Sequence, residues 1–194
     1  MPPHINSILQ TKLRRPALMP GLLARPRLLA LFDAAAGCPL TLVTAPAGSG
    51  KTSLVCQWLE RCPLPAAWLQ LDANDNHPAQ FFTYVVHALR RLAPQFGGET
   101  EILLQSARLP PLEVLANTWT SELDQFALAS PYILVLEDYH LVQNPTIDRL
   151  LGELVLRPPA GFHLIAISRR TPAWPLGKLR VGSTLLEIGV GDLR

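Results

Sequence analysis

The segment Leu40-Thr-Leu-Val-Thr44, running into Ala45-Pro-Ala-Gly-Ser-Gly-Lys-Thr52, constrains this chain more than any other. Its first five residues are apolar or β-branched, the composition of a buried strand. Gly48 and Gly50 then open backbone angles closed to other residues. Lys51 to Arg61 reads as a helix, stopped before Pro63. Strand, glycine turn and helix in that order can aim successive N–H groups inward as an anion nest. The helix adds the positive end of its dipole to the same place. The spacing fits the phosphate-binding pattern GxxxxGK[ST], with Ala45 where the first glycine usually stands. That first position is the least demanding of the motif. The nucleotide-binding candidates are therefore Ala45, Pro46, Ala47, Gly48, Ser49, Gly50, Lys51, Thr52 and Ser53. In this arrangement Lys51 reaches the β- and γ-phosphates, and the Thr52 hydroxyl ligates Mg²⁺.

The rest of the chain alternates strands and helices. Residues 1–24 carry Lys12, Arg14, Arg15 and four prolines and read as a basic arm, leaving 25–194 as one nucleotide-binding domain. Arg27 to Ala36 reads as a helix entered at Pro26 and stopped at Gly37. Ala66 to Leu71, Tyr132 to Leu136, Phe162 to Ile167 and Leu185 to Ile188 read as further strands. Pro78 opens an amphipathic helix with Phe81, Val85, Leu89 and Leu92 on one face. Residues 94–109 read as loop with room for a short helix, and Leu112 to Phe126 as helix. Asn144-Pro145 reads as an N-cap followed by proline at the first helical position. Strands apolar along their length and alternating with helices predict a mainly parallel five-stranded sheet covered on both faces. With the loop, that is a P-loop NTPase three-layer α/β/α sandwich.

Composition excludes other classes. Of the 194 residues, 48% are hydrophobic and only 16% charged, the opposite of a disordered chain. A net charge of +2 sets up no general field for nucleic acid, and no basic and aromatic residues interleave as a stacking surface. Cys38, Cys56 and Cys62 form no CxxC, which argues against a disulfide framework or zinc ribbon. No apolar run approaches the roughly 20 residues of a membrane helix. Met1 to Arg15 lacks an apolar signal core, so the expected location is cytoplasmic.

A phosphate-binding loop needs a carboxylate at a neighbouring strand end. Glu137 and Asp138 follow Tyr132–Leu136 and supply two. Glu137 is expected to hold the metal with Thr52. Asp138 is expected to share in metal binding and to orient or activate water. Arg169 and Arg170 follow the strand at 162–167, where a cation can sense the γ-phosphate or stabilise developing charge. The catalytic candidates are Asp138 and Arg169. The histidines at 4, 77, 87, 140 and 163 show no metal-ligand spacing. His163 reads as a core or surface histidine, and His140 as a neighbour of the acidic pair. Trp58, Trp68, Trp119 and Trp174 read as packing residues.

Several segments together resemble one family. They are Thr11-Lys-Leu13, Arg25-Pro-Arg-Leu-Leu29, the loop at 39–52, Ala67-Trp-Leu-Gln-Leu-Asp72 and Asp75-Asn-His-Pro78. Leu134-Val-Leu-Glu-Asp-Tyr-His140, Ser168-Arg169 with Pro172, Pro175-Leu176 and Leu179-Arg180, and the final Gly191-Asp-Leu-Arg194 complete the set. It is similar to the nucleotide-binding domain of MalT-like regulators, the large ATP-binding members of the LuxR class. These belong to the signal-transduction ATPases with numerous domains. The resemblance implies an ATP/ADP switch in which inducer-driven exchange leads to self-association and transcription activation. It also implies that the strand at 162–167 lies between the loop strand and the acidic strand. By the same resemblance Asp138 and the Glu137 position form the acidic pair, Arg169 is the sensor, and Arg25 lies near the base.

Glu137-Asp138 stands where the family usually has two aspartates, and Ser49 where it often has an aromatic residue. A carboxylate displaced by ~1 Å can cost on the order of 100-fold in rate, so slow or absent hydrolysis is expected. The family continues into a winged helix, sensor repeats and a helix-turn-helix. None lies within these 194 residues, so the chain reads as truncated or excised, with DNA contacted only through domains it lacks. The rival readings are a small P-loop kinase or phosphotransferase and a non-catalytic interaction remnant.

Overall fold

In the computed structural model, residues 8–19, 21–35, 37–106, 108, 110–129 and 131–193 are described. His4, Ala36 as the expected last residue of the first helix, and the terminal Arg194 lie outside them. The elements run α1 (Pro26–Ala34), β1 (Leu40–Thr44), α2 (Lys51–Leu59), β2 (Ala66–Gln70), α3 (Pro78–Leu89) and α4 (Gly98–Leu104). They continue with α5 (Leu112–Ala129), β3 (Tyr132–Glu137), α6 (Pro145–Leu156), β4 (Phe162–Ser168), α7 (Leu176–Val181) and β5 (Leu185–Ile188). Single 3-10 turns stand at Gln10–Leu13, Ala73–Asn76 and Tyr139–Leu141.

The five strands pair in the order β2-β3-β4-β1-β5, and every pairing is parallel. The chain therefore crosses from β1 to the far edge and returns, placing β4 between β1 and β3. Alternate side chains leave a strand on opposite faces. Leu40, Leu42, Leu134, Leu136, Leu164 and Ala166 enter one core layer with α3, α5, α6 and α7. Val43, Ile133, Val135, Ile165 and Ile167 enter the other with α1 and α2. Both faces of the sheet are thus covered by helices, which is why the strands are mostly apolar.

The caps follow local chemistry. Asn144 Oδ1 accepts from the backbone N–H of Thr146 and Ile147, and Pro145 occupies the first helical position of α6. Asp72 and Asp75 form a reciprocal capping box around Ala73–Asn76. The helix at 176–181 was not expected from sequence: its six residues form fewer than two turns, too few for a periodic signal. Leu71, expected to end β2, lies just past it, although its N–H still donates to the Glu137 carbonyl at 2.9 Å.

The segment read as a basic arm is anchored at its described end. Lys12 and Leu13 are 7% and 3% exposed. Lys12 Nζ lies 2.5 Å from Asp75 Oδ2 and 4.1 Å from the centre of the Tyr84 ring. Asp75 is fully buried, so losing its partner leaves an uncompensated charge in the core. Lys12→Met should lower stability by about 3–5 kcal/mol. Lys12→Met combined with Asp75→Leu should recover much of it, as read by guanidinium unfolding midpoints.

His163, on the central strand, is 3% exposed, with Nε2 2.9 Å from Thr41 Oγ1 and Nδ1 without a partner among the described residues. Burial depresses its pKa from 6.5 to about 4. The unfolded chain therefore takes up the proton first. The stability this group contributes is complete above pH 6.5 and is lost as pH falls towards 4. Between pH 7.5 and 5 the wild type should lose ~2 kcal/mol more than His163→Gln, measured by urea unfolding at each pH.

Candidate nucleotide-binding site

In a parallel sheet all carboxyl ends share one edge, and ligands bind in the crevice outside it. β1 delivers the loop at 45–50 to that edge, β3 delivers Glu137 and Asp138, and β4, between them, delivers Ser168 and Arg169. Thr44 is in register with Ser168. Extending the β3–β4 register by two residues sets Asp138 beside Ser168.

The loop has the expected backbone. Gly48 and Gly50 hold φ of +76° and +82°, the left-handed region that glycine enters without strain. Gly50 is the N-cap of α2 and supplies no side-chain cap. The first N–H groups of this nine-residue helix thus have no side-chain partner at their open end. Inside the loop, Lys51 Nζ and Ser49 Oγ each donate to the Pro46 carbonyl at 2.8 Å. Lys51 is 8% exposed. Burial lowers its pKa and the Arg169 charge lowers it further, while Asp138 and Glu137 pull it back up.

Strand parity explains the carboxylates. Glu137 follows Ile133 and Val135 at intervals of two, so it leaves β3 on the α2 face. There Thr52 Oγ1 donates to Glu137 Oε1 at 2.6 Å, and Trp68 Nε1 donates to Oε2 at 3.1 Å. Burial raises the Glu137 pKa, against the pull of these two donors. Asp138 is next in sequence and would point to the opposite face of a regular strand. Instead it takes φ of +56°, ending β3 and starting the turn at Tyr139–Leu141. A non-glycine residue there is strained, and such strain persists where surrounding contacts over-determine it. The Asp138 carboxylate lies 3.9 Å from His140 Nδ1.

Arg169 and Arg170 are exposed. Arg170 Nη2 donates to the His140 carbonyl at 2.8 Å, whereas Arg169 acts on Lys51 and His140 through its charge. Burial lowers the His140 pKa, with Asp138 opposing. On the other side of the loop, Arg25 Nη2 sits 3.7 Å from where a Cβ on Gly50 would stand. Arg25 Nη1 is buried without a hydrogen-bond partner among the described residues. Arg25, Leu22, Leu23, Gly50, Ser53 and Gln57 line a small cleft of about 90 Å³ against the loop. The fold therefore gathers the residues singled out from sequence at one edge, with Arg25 and Ser53 on its flank.

Sequence reasoning missed Trp68. The four tryptophans looked alike, and only the in-register pairing of β2 with β3 places this indole on the Glu137 face. The signal was parity in two strands at once, which requires knowing that they are neighbours.

This edge defines a P-loop nucleotide-binding domain of the α/β/α class. The profile of the AAA ATPase domain matches residues 24–167, well over half the chain, and the chain belongs to that family. It is 34% identical over 186 residues to the HTH-type transcriptional regulator MalT of Cronobacter sakazakii (strain ATCC BAA-894). It is 33% identical over 187 residues to MalT of Yersinia enterocolitica. Each alignment covers 96% of this chain and 20% of the relative, so the chain spans about one-fifth of the length of these curated relatives. Among solved structures, a STAND protein with a tetratricopeptide repeat sensor from Pyrococcus horikoshii matches with a TM-score of 0.57 at 13% identity. That likeness covers 91% of this chain and 24% of the other, and it is a likeness of fold. Among the described residues no helix is long and apolar enough to cross a membrane.

The loop glycines make a direct test. Gly50→Ala forces a Cβ into the left-handed region and should destabilise the fold by about 1–2 kcal/mol. A urea midpoint unchanged from wild type would contradict the loop conformation.

Proposed function

We propose that the chain is the ATP/ADP-binding regulatory switch domain of a MalT-like transcriptional activator, with slow or absent hydrolysis. The observation that carries this reading is the 2.6 Å contact between Thr52 Oγ1 and Glu137 Oε1 beside an uncapped helix N-terminus. A hydroxyl and a carboxylate brought together there form an all-oxygen donor pair, the chemistry Mg²⁺ prefers, with phosphate oxygens and water completing the shell. No cluster of three or more His, Cys, Asp or Glu side chains suited to a metal occurs among the described residues. That fits a cation held largely by its nucleotide. Thr52 and Glu137, with Asp138 nearby, would hold Mg²⁺, which supplies neutralisation of charge on the β- and γ-phosphates when bound.

The chain's own groups divide the remaining work. The amides of Ala45–Thr52 and the α2 N-terminus receive phosphate oxygens. Lys51 exchanges the Pro46 carbonyl, a neutral acceptor, for a charged one. Arg25 and Ser53 border the cleft where the nucleoside end would lie. Arg169, at the end of β4, would read the γ-phosphate, and Asp138 would orient water. Slow turnover is supported by Glu137, whose two oxygens are both engaged by Thr52 and Trp68. The similarity to MalT supports assigning inducer sensing and DNA contact to domains outside these residues, self-association to the ATP-bound form, and the cytoplasm as location.

Lys51→Ala removes a charge-assisted contact worth ~1.5–3 kcal/mol, so ATP affinity should fall at least about tenfold. Titration calorimetry of the two proteins with ATP and ADP measures this. Equal affinities would refute the assignment.

A further inference from the structure

The Asp75-Asn-His-Pro segment follows β2, outside the phosphate-binding loop, yet it reaches the acidic strand end. Asn76 Nδ2 donates to the Leu141 carbonyl at 2.9 Å and to the Ala73 carbonyl of its own turn at 2.9 Å. Its Oδ1 accepts from the Gln143 N–H at 2.5 Å. The Asn76 carbonyl accepts from Asn144 Nδ2 at 2.8 Å. One carboxamide thus satisfies an acceptor and a donor on the chain that leaves Tyr139–Leu141, much as a neighbouring strand would. A carboxamide offers both functions side by side on one planar group, and glutamine, the other carboxamide, is a methylene longer.

The held segment is the continuation of the strained residue. Asp138, at φ +56°, stands three residues before Leu141. The turn is also restrained by the Tyr139 hydroxyl, which donates to Asp148 Oδ1 at 2.7 Å and accepts from Trp174 Nε1 at 3.3 Å, by Arg170 on the His140 carbonyl, and by the Leu141 N–H on the Asp138 carbonyl at 3.0 Å. Asn76 is itself fixed from behind. The neighbouring Asp75 carboxylate is buried, closes the capping box on the Asp72 N–H at 2.8 Å, and pairs with Lys12.

We propose that Asn76 is a positioning residue of the nucleotide site. By gripping the backbone of Leu141 and Gln143 it keeps Asp138 in its left-handed conformation, with the carboxylate turned to the γ-phosphate side of the crevice. The proposal rests on the nucleotide-binding reading above. It predicts a selective effect: Asn76 touches neither the phosphate-binding loop nor the Arg25 cleft, so its loss should leave metal-free ADP binding alone. It should weaken the Mg²⁺-dependent part of ATP binding, where Asp138 is engaged.

The test is calorimetric titration of wild type, Asn76→Ala and Asn76→Asp with ATP and ADP, each with and without Mg²⁺. Urea unfolding of all three runs alongside. Asn76→Asp keeps the acceptor for the Gln143 N–H and the side-chain volume, so it remains informative if Asn76→Ala fails to fold. The expected result is an ATP affinity in Mg²⁺ lower by about tenfold for Asn76→Ala and by at least as much for Asn76→Asp, whose second carboxylate oxygen faces the Leu141 and Ala73 carbonyls. Metal-free ADP affinity should stay within about twofold, as for an untouched site. Variants that lose stability but bind all four combinations as the wild type does, or lose them all equally, overturn the proposal while leaving the nucleotide site standing. A wild type that binds neither nucleotide overturns both.

Discussion

The insertion of β4 between β1 and β3 is the constraint from which the site follows. With β4 between them, the ends of β1 and β3 stand two strand spacings of about 4.8 Å apart, and side chains cross the gap, as the 2.6 Å hydrogen bond from Thr52 to Glu137 does. The parallel direction of every strand then does the rest. It sends the loop, Glu137, Asp138 and Arg169 to one edge although more than 120 residues of sequence separate the first from the last.

Much of this was legible before any coordinates. The apolar runs at 40–44, 132–136 and 162–167 announced strands buried on both faces, because their residues are apolar at most positions, with Thr41, Thr44 and His163 the departures. The loop was legible because its glycines, lysine and threonine sit at fixed offsets between a strand and a helix. What stayed hidden depended on pairing. Lys12 looked like one of several arm cations, and nothing local shows that it meets Asp75 across 63 residues. Trp68 looked like core. The left-handed turn at Asp138 was hidden too, since aspartate enters that region only occasionally and nothing local marks where. Strand order itself came from the family resemblance, not from periodicity, which carries no information about which strands lie side by side.

The polar interior outside the site is organised around the end of β2. Asp72 and Asp75 cap one turn, Lys12 enters from the N-terminal side, and Asn76 leaves towards α6. A buried ion pair of this kind is weak evidence for net stability, since desolvating both charges offsets their attraction. Its value lies in uniqueness of geometry: an ion pair and a carboxamide accept few alternative packings, whereas leucines accept many. The segment before α1 is thereby tied to the same turn that carries the acidic residues.

The indole hydrogen bond to Glu137 has one further outcome. An indole's emission responds to charge at its ring nitrogen, and Trp68 is tethered to the carboxylate a metal-bound nucleotide would engage. The domain therefore carries its own optical gauge. It is hydrogen-bonded to one oxygen of the carboxylate, buried from bulk solvent, and free of any label that might disturb the pocket it observes.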